Sequence, residues 1–583
     1  MTTLDKDGNE LANIVRREPS TQISPPGSSA QSEVAVSDET GERFTDSCNQ
    51  LKPAQEKSKD DGQNTASDQT DEEGYLKGWR LAIMIVAPCL TMFAVALDNT
   101  IISTAIPTIT AEFKTIADIG WYGAAYLLTA ASMQILYGKI YTFNPLKWVT
   151  LAALGLFELG SLVCAVTTSS LTLIIGRALA GLGSAGLLSA AVLIAGQIVP
   201  LRQRPMLVGL VSGLNGLASI AGPLLGGLFT AHLSWRWCFY INLPIGGTAA
   251  LIILFLFEPS GKGSQSRQSF KQQIPQLDLL GTALFIPSII CLLLALEWGG
   301  TAWAWSNVRI IVLFILFGVL SISFVAIQIR KGETALVPPR LLKNRNVWSG
   351  GLCMALAVGA FYIIVYYLPL WFQVIKDVSA FQSGIMFLPM LVSMIVMSVV
   401  SGGLVSQIGY YTPFLMAGLA LLALGAGLMS TFQPDTASPK WIGYQIIFGA
   451  ALGCAVQQPL LAMQASLPKP DIPIGTAIMF FSQTLGGTIF LSIAQTVFDT
   501  LLMTGITAAD IPGLTAATVN SVGATEIRKL VAAQYLPVLL TAYNNAITHT
   551  FYIAVGVACL AFIASLFVEW NSVKGKDLIG APA

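Results

Sequence analysis

Histidine is scarce in this sequence of 583 residues. There are only two, His232 and His549, and they lie far apart in the chain. Zinc sites draw on histidine and cysteine, and general acid–base catalysis uses histidine most often. The scarcity argues against zinc chemistry and most histidine-based catalysis. We therefore expect no metal site and no enzyme.

Paired cysteines and a phosphate-binding loop are also missing. The eight cysteines form no Cys-x-x-Cys pair and most stand in apolar segments, which is typical of buried small hydrophobic residues. The "GKGS" at Gly261 lacks the glycine that a phosphate loop needs five residues earlier, where Leu256 stands. We expect no cofactor and no nucleic-acid partner.

Charge is the third scarcity. Charged residues make up 11% of the chain, against roughly 25% in soluble domains. Hydrophobic residues make up 54%, and the mean hydropathy is +0.66. This composition predicts an all-α integral membrane protein surrounded by a lipid bilayer.

The remaining charge is concentrated in residues 1–76, which hold 16 acidic and 7 basic side chains and no apolar run. Such a segment cannot bury enough surface to offset the entropy of ordering it. We interpret it as a disordered acidic tail. Because no signal-peptide pattern precedes Lys77, the first apolar span is expected to direct membrane insertion.

Membrane spans follow the tail. A spanning helix needs about 20 mostly apolar residues. The sequence predicts fourteen such spans, at 81–106, 119–138, 148–167, 170–196, 205–230, 238–257, 279–298, 308–328, 347–372, 382–406, 412–431, 441–465, 475–503 and 547–569.

Loop charge orients these spans. If the tail is cytoplasmic, 17 of the Lys and Arg residues outside the tail lie on its side of the membrane and 7 on the other, with Arg177 inside a span. Positive loops favour the cytoplasm. We expect both termini to be cytoplasmic, in the plasma membrane or, alternatively, the vacuolar membrane.

A weak internal repeat suggests two halves. The segments that begin at Gly138, after the second span, and at Gly402, at the end of the tenth, both read G-x-[IL]-x-[ST]. Two parallel six-span repeats characterise major facilitator transporters. The predicted domains are the acidic tail at 1–76, a first bundle at 77–257, a cytoplasmic loop with two extra spans at 258–346, a second bundle at 347–571 and a C-terminus at 572–583. The second bundle includes an outer loop at 504–546, which is either a lid or contains an interfacial helix leading into the last span.

Four motifs strengthen this comparison: "LDNTIISTAIP" at 97–107, "GRALAGLGSAG" from Gly176, "GLNGLASIAGPLLGG" at 213–227 and "WRWCFYINLPIG" at 235–246. They resemble motifs of the fourteen-span drug:proton antiporter family of the major facilitator superfamily, and especially its fungal branch of toxin and multidrug efflux pumps. The resemblance covers about residues 76–571 and implies proton-coupled export of small hydrophobic molecules.

The chain departs from the superfamily pattern after the second span. Thr142 stands where an aspartate is usual, and Pro145 where a second glycine is usual. The charged latch between spans is thus partly missing. We expect gating in this half to rely on packing at Gly138 and on the charges of Lys139 and Lys147.

The segment 213–227 resembles the antiporter signature of the fifth span. Small residues four apart allow a neighbouring helix to approach closely, and an internal proline kinks a helix. The spacing alone fits ordinary helix packing, whereas the resemblance implies a pivot for alternating access. The residues concerned are Gly213, Gly216, Gly222, Pro223, Gly226 and Gly227.

Several charged residues stand inside the predicted spans, and three of them are candidates for proton coupling. Asp98 lies in the outer half of the first span, and Arg177 lies at similar depth in the fourth. A buried charge is costly unless it is paired. We hypothesise that Asp98 carries a proton whose binding depends on the distance to Arg177. Glu158, in the third span, is either a second titrating site or a hydrogen-bonded structural residue.

The other polar and aromatic residues in the spans suit a cavity for a bulky, largely uncharged molecule. The candidates are Asn215, Asn242, Gln457, Gln458, Tyr126 and Tyr362. A proton-coupled exporter of a drug, fungicide or toxic secondary metabolite, acting as a monomer, is the main prediction. The alternatives are an importer such as a siderophore transporter and a membrane sensor that transports nothing.

Overall fold

The computed structural model describes residues 78–114, 118–200, 203–257, 274–300, 303–509, 531–532 and 534–572. The predicted tail 1–76 and most of the predicted 258–278 loop lie outside this part of the chain. The described residues form fourteen long helices: α1 Trp79–Phe113, α2 Ile119–Phe143, α3 Leu146–Val166, α4 Ser170–Ile198, α5 Arg204–His232, α6 Asn242–Leu256, α7 Leu279–Trp298, α8 Val308–Lys331, α9 Arg345–Ile375, α10 Ala380–Ile408, α11 Thr412–Met429, α12 Ser438–Ala455, α13 Ile472–Ala508 and α14 Leu536–Ser565.

The helices agree with the predicted spans in number and order. Thirteen spans of the described chain are long and apolar enough to cross a membrane. The remaining helix, α2, is a 25-residue helix that packs against α4 and α13. No strand occurs among the described residues. The prediction of an all-α membrane protein is confirmed.

Helix ends follow local sequence signals. α10 begins with a capping box in which the side chains of Ser379 and Gln382 satisfy each other's backbone N–H groups. It ends at Gly409, which adopts a left-handed conformation that glycine accepts without steric cost. Short helices at Trp237–Tyr240 and Gln458–Ser466 flank α6 and α12.

Contacts group the helices into two bundles with two extra helices. In the first bundle, α1 packs on α5 and α6, and α4 packs on α2 and α3; in the second, α9 packs on α13 and α14, and α12 packs on α10 and α11. The bundles meet along two pairs, α5 with α10 and α2 with α13. α7 contacts both α2 and α13, and α8 packs on α7 with most of its apolar side chains exposed.

The backbones of the two bundles approach each other closely toward the side on which α1 begins and α14 ends, here called the terminal side; the opposite side is called the outer side. A methyl group built at Gly209 of α5 would lie 2.8 Å from the Ser398 carbonyl oxygen of α10. One built at Gly138 of α2 would lie 3.1 Å from the Ile474 Cα of α13. Farther out on α5, Gly227 has no neighbour within 4 Å among the described residues.

Several helices extend beyond the predicted spans. Gly138 lies inside α2, which continues to Phe143, so the α2–α3 connection is only two residues long. Within the predicted outer loop 504–546, α13 continues to Ala508 and α14 begins at Leu536. The twelfth span is interrupted after Ala455.

Candidate functional site

Asp98 and Arg177 form an ion pair inside the first bundle. Oδ2 of Asp98 lies 2.6 Å from Nη1 of Arg177, and both side chains are fully buried. Asp98 is on α1 and Arg177 on α4, each in the outer half of its helix. The structure brings into contact the two charges that the sequence placed at similar depth.

The guanidinium of Arg177 has further partners on α2. Its Nε donates to the Tyr122 carbonyl oxygen at 2.8 Å, and its central carbon lies 4.5 Å from the centroid of the Tyr126 ring. A cation over an aromatic face is stabilised by the ring quadrupole. Its Nη2 has no hydrogen-bond partner in the described part of the chain. Tyr126, a predicted cavity residue, therefore lies against the ion pair.

Asn242 completes the carboxylate's environment. Its Nδ2 donates to Asp98 Oδ1 at 2.8 Å and lies 3.2 Å from the Ser161 hydroxyl. Asn242 opens α6 and Ser161 lies on α3, so that α1, α2, α3, α4 and α6 all bring side chains to this site. Asn242 was predicted as a cavity residue. The structure places its side chain in hydrogen-bond contact with Asp98, the candidate proton carrier.

This arrangement makes the protonation state of Asp98 important for the bundle. Removing one partner of a buried ion pair typically costs about 3–5 kcal/mol, because the other charge is left uncompensated. A proton added to Asp98 neutralises one partner in the same way. Loss of either charge would therefore weaken the packing of α1 against α4.

Glu158 lies on α3 against α6 and makes no hydrogen bond to the ion pair among the described residues. A methyl group built at Gly246 would lie 2.6 Å from the Glu158 carboxyl carbon, so the carboxyl group packs directly on this glycine. Both carboxyl oxygens are buried and have no hydrogen-bond partner among the described residues. A carboxyl group without hydrogen-bond partners costs less free energy to bury when it is neutral than when it is ionised. The hydrogen-bonded structural alternative has no support in the described contacts.

The signature glycines of α5 pack against the segment of α1 that follows Asp98. A methyl group at Gly222 would lie 3.0 Å from the Ile101 nitrogen, and one at Gly226 would lie 2.5 Å from the Ile101 carbonyl oxygen. The helix that approaches these two glycines closely is α1. Pro223 lies between these two glycines within α5.

The other signature glycines have different surroundings. Gly213 and Gly216 face α10, where added methyl groups would meet Ile395 at 3.0 Å and Met394 at 2.7 Å. Gly227 has open space around it. The signature therefore joins α5 to α1 in the outer half and to α10 toward the terminal side.

At the terminal end of α2, the predicted gating residues behave differently from one another. The ammonium of Lys139 is buried and donates to the carbonyl oxygens of Ala335 and Thr334, which follow α8. Lys147 is half-buried, with no hydrogen bond to any described residue. Thr142, at the place of the missing aspartate, bonds within its own helix to Gly138.

The remaining cavity candidates are distributed over the second bundle. Gln457 and Gln458 are buried where α12 is interrupted, and Gln458 donates to the Cys454 carbonyl oxygen at 3.0 Å. Tyr362 of α9 packs against Gly487 of α13, with its ring near Phe361 and Tyr366. The side chain of Asn215 lies outside the described part of the chain.

An outer ion pair is absent from the sequence-based predictions. Glu112, at the end of α1, accepts hydrogen bonds from Arg236 at 2.9 Å and from the Trp235 indole at 2.7 Å. The hydrogen bond from Arg236, followed by that from Trp235, holds the pKa of Glu112 below its usual value. Charged residues are common at helix ends and in loops, so the sequence gave no indication that Glu112 and Arg236 are paired. Among the described residues, no group of three His, Cys, Asp or Glu could hold a metal ion.

Known proteins resemble this chain over most of its length. The MFS-type transporter astH of Aspergillus oryzae is 49% identical over 504 residues, which are 86% of this chain and 89% of that protein. The MFS-type efflux pump MFS1 of Trichophyton rubrum is 50% identical over 521 residues, 89% of this chain and 97% of that protein.

The fold has a solved counterpart. A structure of the proton:xylose symporter XylE with 6-bromo-6-deoxy-D-glucose has a TM-score of 0.54 at 16% identity, covering 85% of this chain and 97% of that chain. A family model described as Major Facilitator Superfamily matches residues 89–491, more than half of the sequence. The chain therefore belongs to the major facilitator superfamily, whose members are multi-pass membrane transporters.

Proposed function

We propose that this protein is a proton-coupled exporter of hydrophobic small molecules that works by alternating access. The fully buried pair of Asp98 and Arg177 carries the proposal, because a single proton changes its net charge. The relatives support the direction of transport, since one of them is named an efflux pump.

The coupling step is a proton on the carboxylate of Asp98. In the ionised pair, Asp98 accepts from Arg177 and Asn242. Protonation cancels the attraction and leaves Arg177 without a counter-charge in a dry environment, which is unfavourable. The bundle relieves this cost when α4 moves Arg177 away from α1 or admits water. Return of Arg177 then expels the proton on the other side of the membrane.

Glu158 is proposed as a second titrating site of the first bundle. Its buried, unpartnered oxygens favour the neutral form in the conformation described here. A movement of α3 relative to α6 would expose the carboxyl group and allow it to release a proton. Two titrating carboxyls would permit more than one proton for each substrate molecule.

The proposed substrate class follows from the side chains that the helices provide to line a cavity. The described part of α9 presents Phe361, Tyr362 and Tyr366 as neighbouring rings. Few charges lie in the spans, so a bulky and largely uncharged organic molecule fits best. A drug, fungicide or toxic secondary metabolite has this chemistry. Lys and Arg asymmetry supports cytoplasmic termini, and we propose a monomer in the plasma membrane.

Proteoliposomes with an imposed pH gradient test the proposal. An antiporter drives an apolar toxin into vesicles whose lumen is acidic, whereas a proton-coupled importer drives it into vesicles whose lumen is alkaline. A panel of radiolabelled toxins, measured in both gradients, distinguishes the two. Accumulation in alkaline vesicles, or no gradient-dependent flux with any compound, would contradict the proposal.

A further inference from the structure

The segment 332–343 connects α8 to α9 and touches both bundles on the terminal side. It contains a 3₁₀ turn at Gly332–Thr334 and a short helix at Pro339–Lys343. Ala335, Leu336 and Val337 between them are buried. A connection between helices normally runs over the surface, because a buried one must satisfy its backbone polar groups internally.

One peptide group in this segment is hydrogen-bonded through both its carbonyl oxygen and its N–H group. The Ala335 carbonyl oxygen accepts from the ammonium of Lys139, which belongs to α2. The Leu336 N–H of the same peptide group donates to Asp278 Oδ2 at 2.8 Å. A cation on the carbonyl and a carboxylate on the N–H both act along the dipole of this peptide group. The segment is thereby fixed to the first bundle.

Asp278 is the organising side chain of this contact. It is fully buried, caps α7 through the Gly281 N–H at 2.9 Å, and accepts from Gln328 at 2.8 Å and Lys331 at 2.6 Å on α8. Burial alone would raise the pKa of Asp278, but hydrogen bonds from Lys331, Gln328 and the backbone hold that pKa below its usual value. The two extra helices therefore position the segment.

The other end of the segment is fixed to the second bundle. Arg340 binds both carboxylate oxygens of Asp471, at 2.6 and 2.8 Å, and Asp471 immediately precedes α13. Bidentate pairing of this kind adds geometric specificity to the attraction. Arg340 is half-exposed and also contacts Glu333 at 2.6 Å. Asp471 lies beside the point where Gly138 of α2 meets the first turn of α13.

We infer that the segment 332–343, positioned by α7 and α8, is a clamp that holds α2 and α13 together on the terminal side during the transport cycle. Lys139, Asp278 and Arg340 are its positioning residues. The clamp replaces the charged latch that the sequence lacks at Thr142. It must release when the protein opens on the terminal side. The inference rests on the proposed alternating access.

Hydrogen–deuterium exchange of the full-length protein in lipid nanodiscs tests the clamp. Arg340→Gln is the main variant, because a half-exposed side chain is replaced without leaving a buried cavity. Exchange at the terminal ends of α2 and α13 should rise about twofold to fivefold, as expected for loss of a partly exposed ion pair. Exchange at the outer ends of α10 and α13 should fall, because that side closes when the terminal side opens.

A matched control separates a clamp from general destabilisation. Arg330→Gln removes an exposed arginine near the same connection. It should leave exchange unchanged, whereas Lys139→Met should act like Arg340→Gln. A rise throughout the molecule, or no change in Arg340→Gln, would overturn the inference. Hydrogen–deuterium exchange needs no transported substrate. A negative result in the flux assay therefore does not decide whether the clamp exists.

Discussion

Replacement of Asp98 by asparagine tests the buried ion pair directly. The substitution keeps the size of the side chain but removes its charge, and it leaves Arg177 fully buried beside a neutral amide. We expect a loss of about 3–5 kcal/mol in the free energy of unfolding. The contacts of Arg177 with Tyr122 and Tyr126 remain, but neither supplies a counter-charge.

A double-mutant cycle isolates the pair. In Asp98→Asn with Arg177→Gln, both charges are absent, so the buried cation no longer has to be accommodated. The double variant should be more stable than Asp98→Asn alone, with an interaction energy on the order of 3 kcal/mol. Unfolding in detergent, followed by intrinsic fluorescence against denaturant concentration, measures each corner of the cycle.

The outer pair supplies the matched control. Glu112→Gln makes the same chemical change opposite Arg236, but there the arginine is 28% exposed and the carboxylate 43% exposed. Exposed pairs contribute about 1 kcal/mol or less. Equal losses for Asp98→Asn and Glu112→Gln would refute the reasoning, as would a double variant whose loss is the sum of the two single losses.

Three further predictions follow from neighbouring contacts. Gly226→Ala should destabilise the protein by about 1–3 kcal/mol, because its methyl group would meet a carbonyl of α1, whereas Gly227→Ala, in open space, should be neutral in thermal unfolding. Burial lowers the pKa of Lys139 from 10.5 to about 8, although Asp278 opposes the shift, so the folded protein binds fewer protons than the unfolded chain between those values. Stability should therefore rise with pH across that window, and Lys139→Met should remove this increment from the pH dependence of the melting temperature. Asn242→Ala should shift the pH dependence of export while keeping the protein folded, since Asp98 loses one hydrogen-bond donor but keeps its cation; an unchanged flux–pH profile would contradict this role.

The sequence predicted the fold well because its signal is long and repeated. Apolar runs of about 20 residues cannot be confused with loops, and fourteen of them appear as helices in order. The start of α14 was left open between an interfacial helix and a lid, for a physical reason. Asn544 interrupts the apolar run, but it is buried, accepts from the Trp371 indole at 2.8 Å and donates to the Phe432 carbonyl oxygen at 3.0 Å.

The candidate site was only partly predictable. Asp98 and Arg177 were conspicuous because charges inside apolar spans are rare. Asn242 was noticed as a polar residue but not as a partner of Asp98, since spacing along the chain does not reveal which helices meet. Asp278 and Arg340 lie in connections, where charges are ordinary, and only the fold brings them to the contact between the bundles.

Proton counting during substrate exchange tests the central claim most directly. Vesicles with an acidic lumen and an enclosed pH-sensitive dye would contain either the wild-type protein or Asp98→Asn. Addition of a transported toxin should make the wild-type lumen more alkaline, because protons leave as substrate enters. Asp98→Asn vesicles, matched for the amount of folded protein, should show no substrate-dependent change. Equal alkalinisation in both preparations would contradict the assignment of Asp98 as the proton carrier.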